Sequence, residues 1–301
     1  MENDPLELSR SSETEAPMPI HDPYLGRYAD QYVVVDGLRL HYTTWGDRDR
    51  PCVMLVHGLQ SMLHTWDPIA DALCEDYYVV NLDLRGHGDS DWTRQGYAVQ
   101  RLVSDIHGFA QQLELPPFDM VGHSLGARVG IAYAGTYTDD IRHLVLSDAG
   151  PEVSRDAGIR VRARLARSSD VKGFRNEAEA LAFFEDVYPE WRPIFHQLHV
   201  KHQLRLNWAD KLVFKADPDV FWLTGSAGLR EVPFLWEAAS AITCPTLIMR
   251  GTESYFLSAE TARQMVATIP GSQLAEFATG HHIPREAPEE FVRVLRQFLA
   301  S

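Results

Sequence analysis

Acyl transfer needs a nucleophile, a base that can take its proton and an acid that orients the base, and this chain offers a candidate for each. The nucleophile candidate is Ser124, in the stretch Phe118-Asp-Met-Val-Gly-His-Ser-Leu-Gly-Ala-Arg-Val-Gly-Ile-Ala-Tyr133. Phe118 to Val121 is an apolar run of strand length, and Leu125, Val129, Ala132 and Tyr133 recur at helical spacing. Between them Gly122 and Gly126 flank the serine and permit a turn too tight for larger side chains. Ser124 Oγ would then stand above a sheet edge at the N-terminus of a helix, which favours incoming negative charge. A Gly-x-Ser-x-Gly pentapeptide arises by chance in about one chain in ten of this length. Its weight therefore comes from the flanking elements and from partners elsewhere.

The base candidate is His281, which directly follows Gly280 after a strand-like run, Gln273 to Phe277, and precedes a terminal helix. This places it at the same sheet edge as Ser124, with His282 as its rival. The oxyanion of a tetrahedral intermediate needs two N–H donors, each worth about 3 to 4 kcal/mol. One is the N–H of Leu125, next after the nucleophile. The other is assigned to Leu59, on the loop that follows the strand ending in Val56-His57-Gly58. His57 itself is read as a residue that hydrogen-bonds loop backbone rather than as a catalytic one.

These groups require a scaffold that ends several strands at one edge, and the apolar patterning supplies it. Gln31 to Val35 and Leu38 to Thr44 are β-rich runs joined by Asp36-Gly37, a strong hairpin signal. Pro51 to Gly58, an apolar run ending in His57-Gly58, Tyr77 to Asp83, the run before Ser124 and Ile141 to Ser147 read as buried strands alternating with a helix near Thr65 to Leu73 and an amphipathic helix near Ala98 to Leu113. That alternation predicts a parallel sheet with helices on both faces. From Asp148 to about Trp236 the strand rhythm stops and helical patterns rich in aromatics, among them Phe183, Phe184, Trp191, Phe195, Trp208, Phe221 and Trp222, take over. Strands resume at Pro245 to Arg250.

Composition narrows the function classes. A formal net charge of −14 on 301 residues argues against a nucleic-acid or anionic-membrane surface. The three cysteines, Cys52, Cys74 and Cys244, lack C-x-x-C spacing and read as small core residues in a reducing compartment. No apolar run approaches the ~20 residues of a membrane span, and no leader pattern opens the chain. The expectation is a cytoplasmic protein acting on a small molecule, with no nucleic-acid or membrane partner and oligomeric state open. His196-x-x-His199-x-x-His202 has a spacing that invites a zinc reading, but nearby cysteines and paired carboxylates are missing, so no metal and no cofactor is expected.

Leu55-Val-His-Gly58, Asp83-Leu-Arg-Gly-His-Gly-Asp-Ser90, Val121-Gly-His-Ser-Leu-Gly126, Pro245-Thr-Leu-Ile-Met-Arg-Gly251 and Gly280-His281 occur in order over residues 30 to 300. Together they resemble the α/β-hydrolase superfamily, in its group of lid-bearing single-domain serine hydrolases and esterases. The resemblance implies a mostly parallel eight-stranded sheet with a helical lid inserted. Expected boundaries are a flexible extension over 1–28, the hydrolase core over 29–150 and 237–301, and the lid over 151–236. It also implies a carboxylesterase-like enzyme that opens an ester, lactone or related acyl or C–C bond through an acyl-enzyme. A cofactor-free perhydrolase or haloperoxidase-like enzyme and a non-catalytic small-molecule binder are the alternatives. In related hydrolases the acid stands three or four residues after the glycine ending the seventh strand, where this chain has Ser254 and Tyr255. Glu253, one residue early but longer in reach, is taken as the acid, with Asp148 after the sixth strand as the alternative.

Overall fold

The computed structural model describes residues 20–153, 157–160, 163, 167, 171–220 and 226–301. Its strands are β1 (Ala29–Val35), β2 (Leu38–Trp45), β3 (Cys52–Val56), β4 (Tyr78–Leu82), β5 (Phe118–His123), β6 (Ile141–Ser147), β7 (Leu204–Leu206), β8 (Leu212–Phe214), β9 (Thr246–Gly251) and β10 (Gln273–Phe277). Eight of them make one sheet in the order β1-β2-β4-β3-β5-β6-β9-β10. Only β2 pairs antiparallel with its neighbours; every other pairing is parallel. The Asp36-Gly37 turn explains the first hairpin, since both residues adopt positive φ, 49° and 81°.

Strands β3, β4 and β5 are buried along their whole length, as their unbroken apolar runs require. Helices α1 (Asp67–Leu73) and Pro288–Leu299 cover one face, where Trp45, Leu55, Trp66, Phe277, Phe291 and Leu295 pack. Helices α2 (Val99–Gln112) and α3 (Leu125–Thr136) lie on the other, with Phe109, Met120, Tyr133 and Ile248 among them. Parallel strands deliver their C-terminal ends to one edge, so the loops after β3, β5, β6, β9 and β10 converge there.

Between β6 and β9 the described elements are the helices Glu177–Val187, Pro193–His202, Ser226–Arg230 and Val232–Ala241, and a short antiparallel hairpin of β7 and β8. The hairpin departs from the expected all-helical segment. Phe174, Phe183, Phe184 and Phe214 pack against one another in a cluster of their own. Trp208, expected among the packed aromatics, is instead 96 % exposed near the hairpin turn. Phe221 and Trp222 lie outside the described residues. A second correction concerns the N-terminal side. Within residues 20–28, expected in the flexible extension, three side chains are packed: Tyr24 and Tyr28 lie against Trp45, and the buried Asp22 accepts from the Tyr24 N–H at 2.8 Å.

Candidate active site

Ser124 owes its position to backbone that few residues tolerate. It sits between β5 and α3 at φ 55°, ψ −113°, and its N–H donates to Ser147 O at 3.0 Å, which ties the turn to the end of β6. A Cβ on Gly122 would come within 2.2 Å of Gly126 O, and one on Gly126 within 2.2 Å of Val56 O. Both glycines are therefore sterically compelled, and the serine pays the strain of a left-handed residue.

His281 reaches Ser124 from the loop after β10. Its Nε2 lies 3.0 Å from Ser124 Oγ, and its Nδ1 lies 2.7 Å from Asp148 Oδ2. Phe256 stacks on the imidazole at 4.3 Å between ring centres. The main chain of His281 is held as well, because His123 Nε2 donates to its carbonyl at 2.9 Å. Glu286 grips the same loop by accepting from the N–H groups of Gly280 and His282 at 2.7 and 2.8 Å. His282, the rival, points elsewhere: Tyr188 and Trp191 pack edge-on against its ring.

The carboxylate that meets His281 is Asp148, not Glu253. Asp148 directly follows β6, again at positive φ (50°), and its N–H donates to Met249 O at 2.8 Å. Its Oδ1 accepts from the Gly251 N–H at 2.9 Å, and its Oδ2 accepts from Ser254 Oγ as well as from His281. Glu253 is exposed, and its N–H is directed at Thr279 O, 3.0 Å away. The extra methylene of Glu253 supplies length, but its backbone aims that length at solvent. Ser254 stands where the resemblance places an acid, and donates to the Asp148 carboxylate arriving from the neighbouring strand.

Burial pushes the Asp148 carboxyl up to about 7, while the hydrogen bonds from Ser254 and Gly251 pull it back down. Burial also holds His123 well below the ordinary histidine range, with His281 adding to the effect, so His123 is the neutral donor its geometry requires. His57 is neutral for the same first reason: its Nε2 accepts from the Leu84 N–H at 3.1 Å, which leaves Nδ1–H for Gly58 O at 2.8 Å.

Leu125 opens α3 and Leu59 lies in the turn closed by Ser61 N–H to Gly58 O at 3.2 Å. Gln60 occupies the positive-φ position of that turn (56°). Among the described residues neither the Leu59 nor the Leu125 N–H has a backbone acceptor. A Cβ on Gly58 would sit 3.1 Å from Ser124 Cβ, so the turn lies directly over the serine.

Two further side chains, which sequence patterning did not single out, brace this turn. Arg285 donates to Thr65 Oγ1 at 2.7 Å and Ser61 Oγ at 2.8 Å, with its guanidinium 4.4 Å over the Trp191 ring. Gln203 donates from Nε2 to Gln60 O. Neither carries a motif, because each acts across more than 100 residues of chain. His196 and His199 bond the backbone carbonyls of Tyr188 and Phe195, at 2.8 and 2.7 Å.

A family model described as the alpha/beta hydrolase fold matches residues 51–288. The chain belongs to the α/β-hydrolase family. Within it, a 3-hydroxybutyrate-oligomer hydrolase of Cupriavidus necator is 30 % identical over 281 residues, covering 87 % of this chain and 93 % of that protein. A pyrrolizixenacetamide deacetylase of Xenorhabdus hominickii is 30 % identical over 259 residues, covering 85 % and 93 %. Among solved structures, E-2-(acetamidomethylene)succinate hydrolase superposes with a TM-score of 0.84 at 23 % identity, covering 91 % of this α/β hydrolase and 100 % of that chain, a likeness of fold. Among the described residues of this α/β hydrolase, no helix is long and apolar enough to cross a membrane.

Proposed function

We propose that this protein is a serine hydrolase that opens a carboxylic ester through an acyl-enzyme on Ser124. The observation that carries the reading is the unbroken chain from Ser124 Oγ to His281 at 3.0 Å and from His281 to Asp148 at 2.7 Å. Asp148 holds the Nδ1–H tautomer, so Nε2 carries the lone pair that takes the serine proton as Oγ attacks the carbonyl carbon. The oxyanion receives the N–H groups of Leu59 and Leu125, and the imidazolium then protonates the departing alcohol. Water, deprotonated by the same histidine, releases the acid and restores the serine.

The name of the Cupriavidus relative, a hydrolase of 3-hydroxybutyrate oligomers, favours esters of short hydroxy acids over amides as the first substrates to try. The segment between β6 and β9 acts as a lid whose inner residues grade this preference. One methylene in an apolar pocket is worth only ~1 to 3 kcal/mol, so the grading spans roughly one to two decades. The test is a stopped-flow assay with a short-chain p-nitrophenyl ester. A burst of one p-nitrophenol per protein, lost in Ser124→Ala, supports the reading; release unaffected by Ser124→Ala refutes it.

A further inference from the structure

Where the Pro193–His202 helix meets the core, the fold gathers ligand chemistry that acyl transfer does not use. His64 lies in the 3-10 turn Leu63–Trp66, Asp67 opens α1, and His202 ends the Pro193–His202 helix. One ligand atom from each lies within 4.8 Å of the other two. The rings of His64 and His202 face each other at 3.7 Å, tilted by 23°. His64 Nδ1 is 2.8 Å from Asp67 Oδ2, and His202 Nε2 is 3.1 Å from Oδ2 of the buried Asp22.

A separate observation shows that this cluster lacks a partner. Asp67 is 0 % exposed, and among the described residues its Oδ1 has no hydrogen-bond donor. Such an orphaned buried acceptor is costly. Both imidazoles are held inside the fold, His64 at 4 % exposure and His202 at 16 % for its side chain, and each has one ring nitrogen on a carboxylate. Two imidazoles beside an under-satisfied carboxylate are a cation receptor.

We propose that His64, Asp67 and His202 bind a divalent transition metal of the Zn²⁺ class, with Asp22 behind His202. The mixed nitrogen and oxygen donor set suits Zn²⁺ or Co²⁺ and disfavours Mg²⁺ and Ca²⁺, which take oxygen ligands. A carboxylate behind a metal-bound histidine is the usual arrangement, fixing its tautomer and ring orientation. Tetrahedral ligands at ~2.0 to 2.2 Å from a metal lie roughly 3.3 to 3.6 Å apart, so closing the cluster takes side-chain shifts on the order of 1 Å. The stacked rings splay as they close, a water completes the shell, and the proton shared by His64 and Asp67 leaves to solvent.

The metal would join residues of three segments: the core, the segment before β1 and the end of the Pro193–His202 helix. Its effect reaches further, because the residue after His202 is Gln203, whose side chain holds Gln60 O in the turn that carries Leu59. Occupancy at His202 therefore stiffens the turn over Ser124. The site itself does not depend on the hydrolase reading, and its test is one of binding.

The full chain, stripped with chelator, is titrated with ZnCl₂ by calorimetry and with CoCl₂ by visible absorption, alongside His202→Gln, Asp67→Asn and Asp22→Asn. The parent is expected to take up one equivalent at micromolar or tighter affinity, with the intense d–d bands of tetrahedral Co²⁺ and a raised thermal midpoint. His202→Gln and Asp67→Asn remove that equivalent, and Asp22→Asn weakens it by ~10- to 100-fold. The chain has 13 histidines, so the difference between parent and variant decides, not uptake alone. His202 is partly exposed, 16 % for its side chain, which keeps the His202→Gln comparison available if Asp67→Asn fails to fold. A parent without the Co²⁺ bands, or a His202→Gln variant that binds as the parent does, overturns the proposal and leaves a buried hydrogen-bonded network.

Discussion

Replacing the two carboxylates that compete for the acid role separates them sharply. In Asp148→Asn one amide oxygen can still accept from Gly251 N–H, which leaves the amide NH₂ facing two donors, His281 Nδ1–H and Ser254 Oγ–H. Ser254 can rotate its hydroxyl and still accept from the Phe256 N–H at 3.0 Å. His281 has no such freedom: it must move its proton to Nε2, where it confronts Ser124 Oγ and cannot act as a base. The cost expected from a wrong tautomer is ~10⁴-fold in kcat, which is about 5.4 kcal/mol at 1.36 kcal/mol per decade. KM changes little, because the amide touches no substrate. Glu253→Gln alters an exposed side chain and leaves kcat within about twofold of the parent.

Stability adds a second readout with a definite sign. Asp148 rises from 3.8 to about 7 in the folded chain. Between those values the folded state holds a proton that the unfolded state has released, so this residue's contribution to stability falls as pH rises from about 4 to about 7. Asparagine cannot ionise, so the thermal midpoint of Asp148→Asn should climb relative to the parent across that window. The assay is p-nitrophenyl ester turnover with thermal melts at several pH values. Full activity in Asp148→Asn together with lost activity in Glu253→Gln would refute the reasoning.

Three other variants follow from the packing. Gly122→Ala places a methyl within 2.2 Å of Gly126 O and should lower stability by ~3 kcal/mol or more, seen as lost soluble protein or a large fall in Tm; a near-parental Tm contradicts it. Arg285→Met strips donors from Thr65 and Ser61 and the cation from Trp191. Each charge-assisted hydrogen bond is worth ~1.5 to 3 kcal/mol, so urea unfolding should show a loss of about 3 kcal/mol or more, and an unchanged midpoint would remove Arg285 from the brace. Gln203→Ala frees the Gln60 carbonyl and should cut kcat by about tenfold, less than the loss of an oxyanion donor outright. Fluorophosphonate labelling of Ser124 should persist in it; parental kcat would show that the turn needs no such tie.

Much of this arrangement was legible in the residues because it depends on local sequence. The Asp36-Gly37 hairpin, the apolar β3, β4 and β5, and the glycines around Ser124 each encode a backbone conformation within a few positions. Asp148 was legible only as an alternative, because its partner lies 133 residues away and side-chain direction depends on register between strands. Counting from the glycine that ends β9 led to the loop of Ser254, which donates to Asp148 but does not supply the carboxylate that meets His281. It could not show that Asp148, bonded through its N–H to Met249 O, already stood beside Ser254 on the adjacent strand end. The hairpin of β7 and β8 escaped because three-residue strands show no alternation. Residues 20–28 were hidden by averaging: a polar stretch read as one composition concealed Asp22, Tyr24 and Tyr28, which pack individually.

The most direct measurement of the central claim is the mass of the intact protein quenched in acid milliseconds after mixing with a short-chain ester, followed by peptide mapping. A single acyl adduct on the peptide containing Ser124, present at the earliest times and gone when substrate is exhausted, is the predicted result. Hydrolysis at the same rate with no adduct, or an adduct on any other residue, would contradict it.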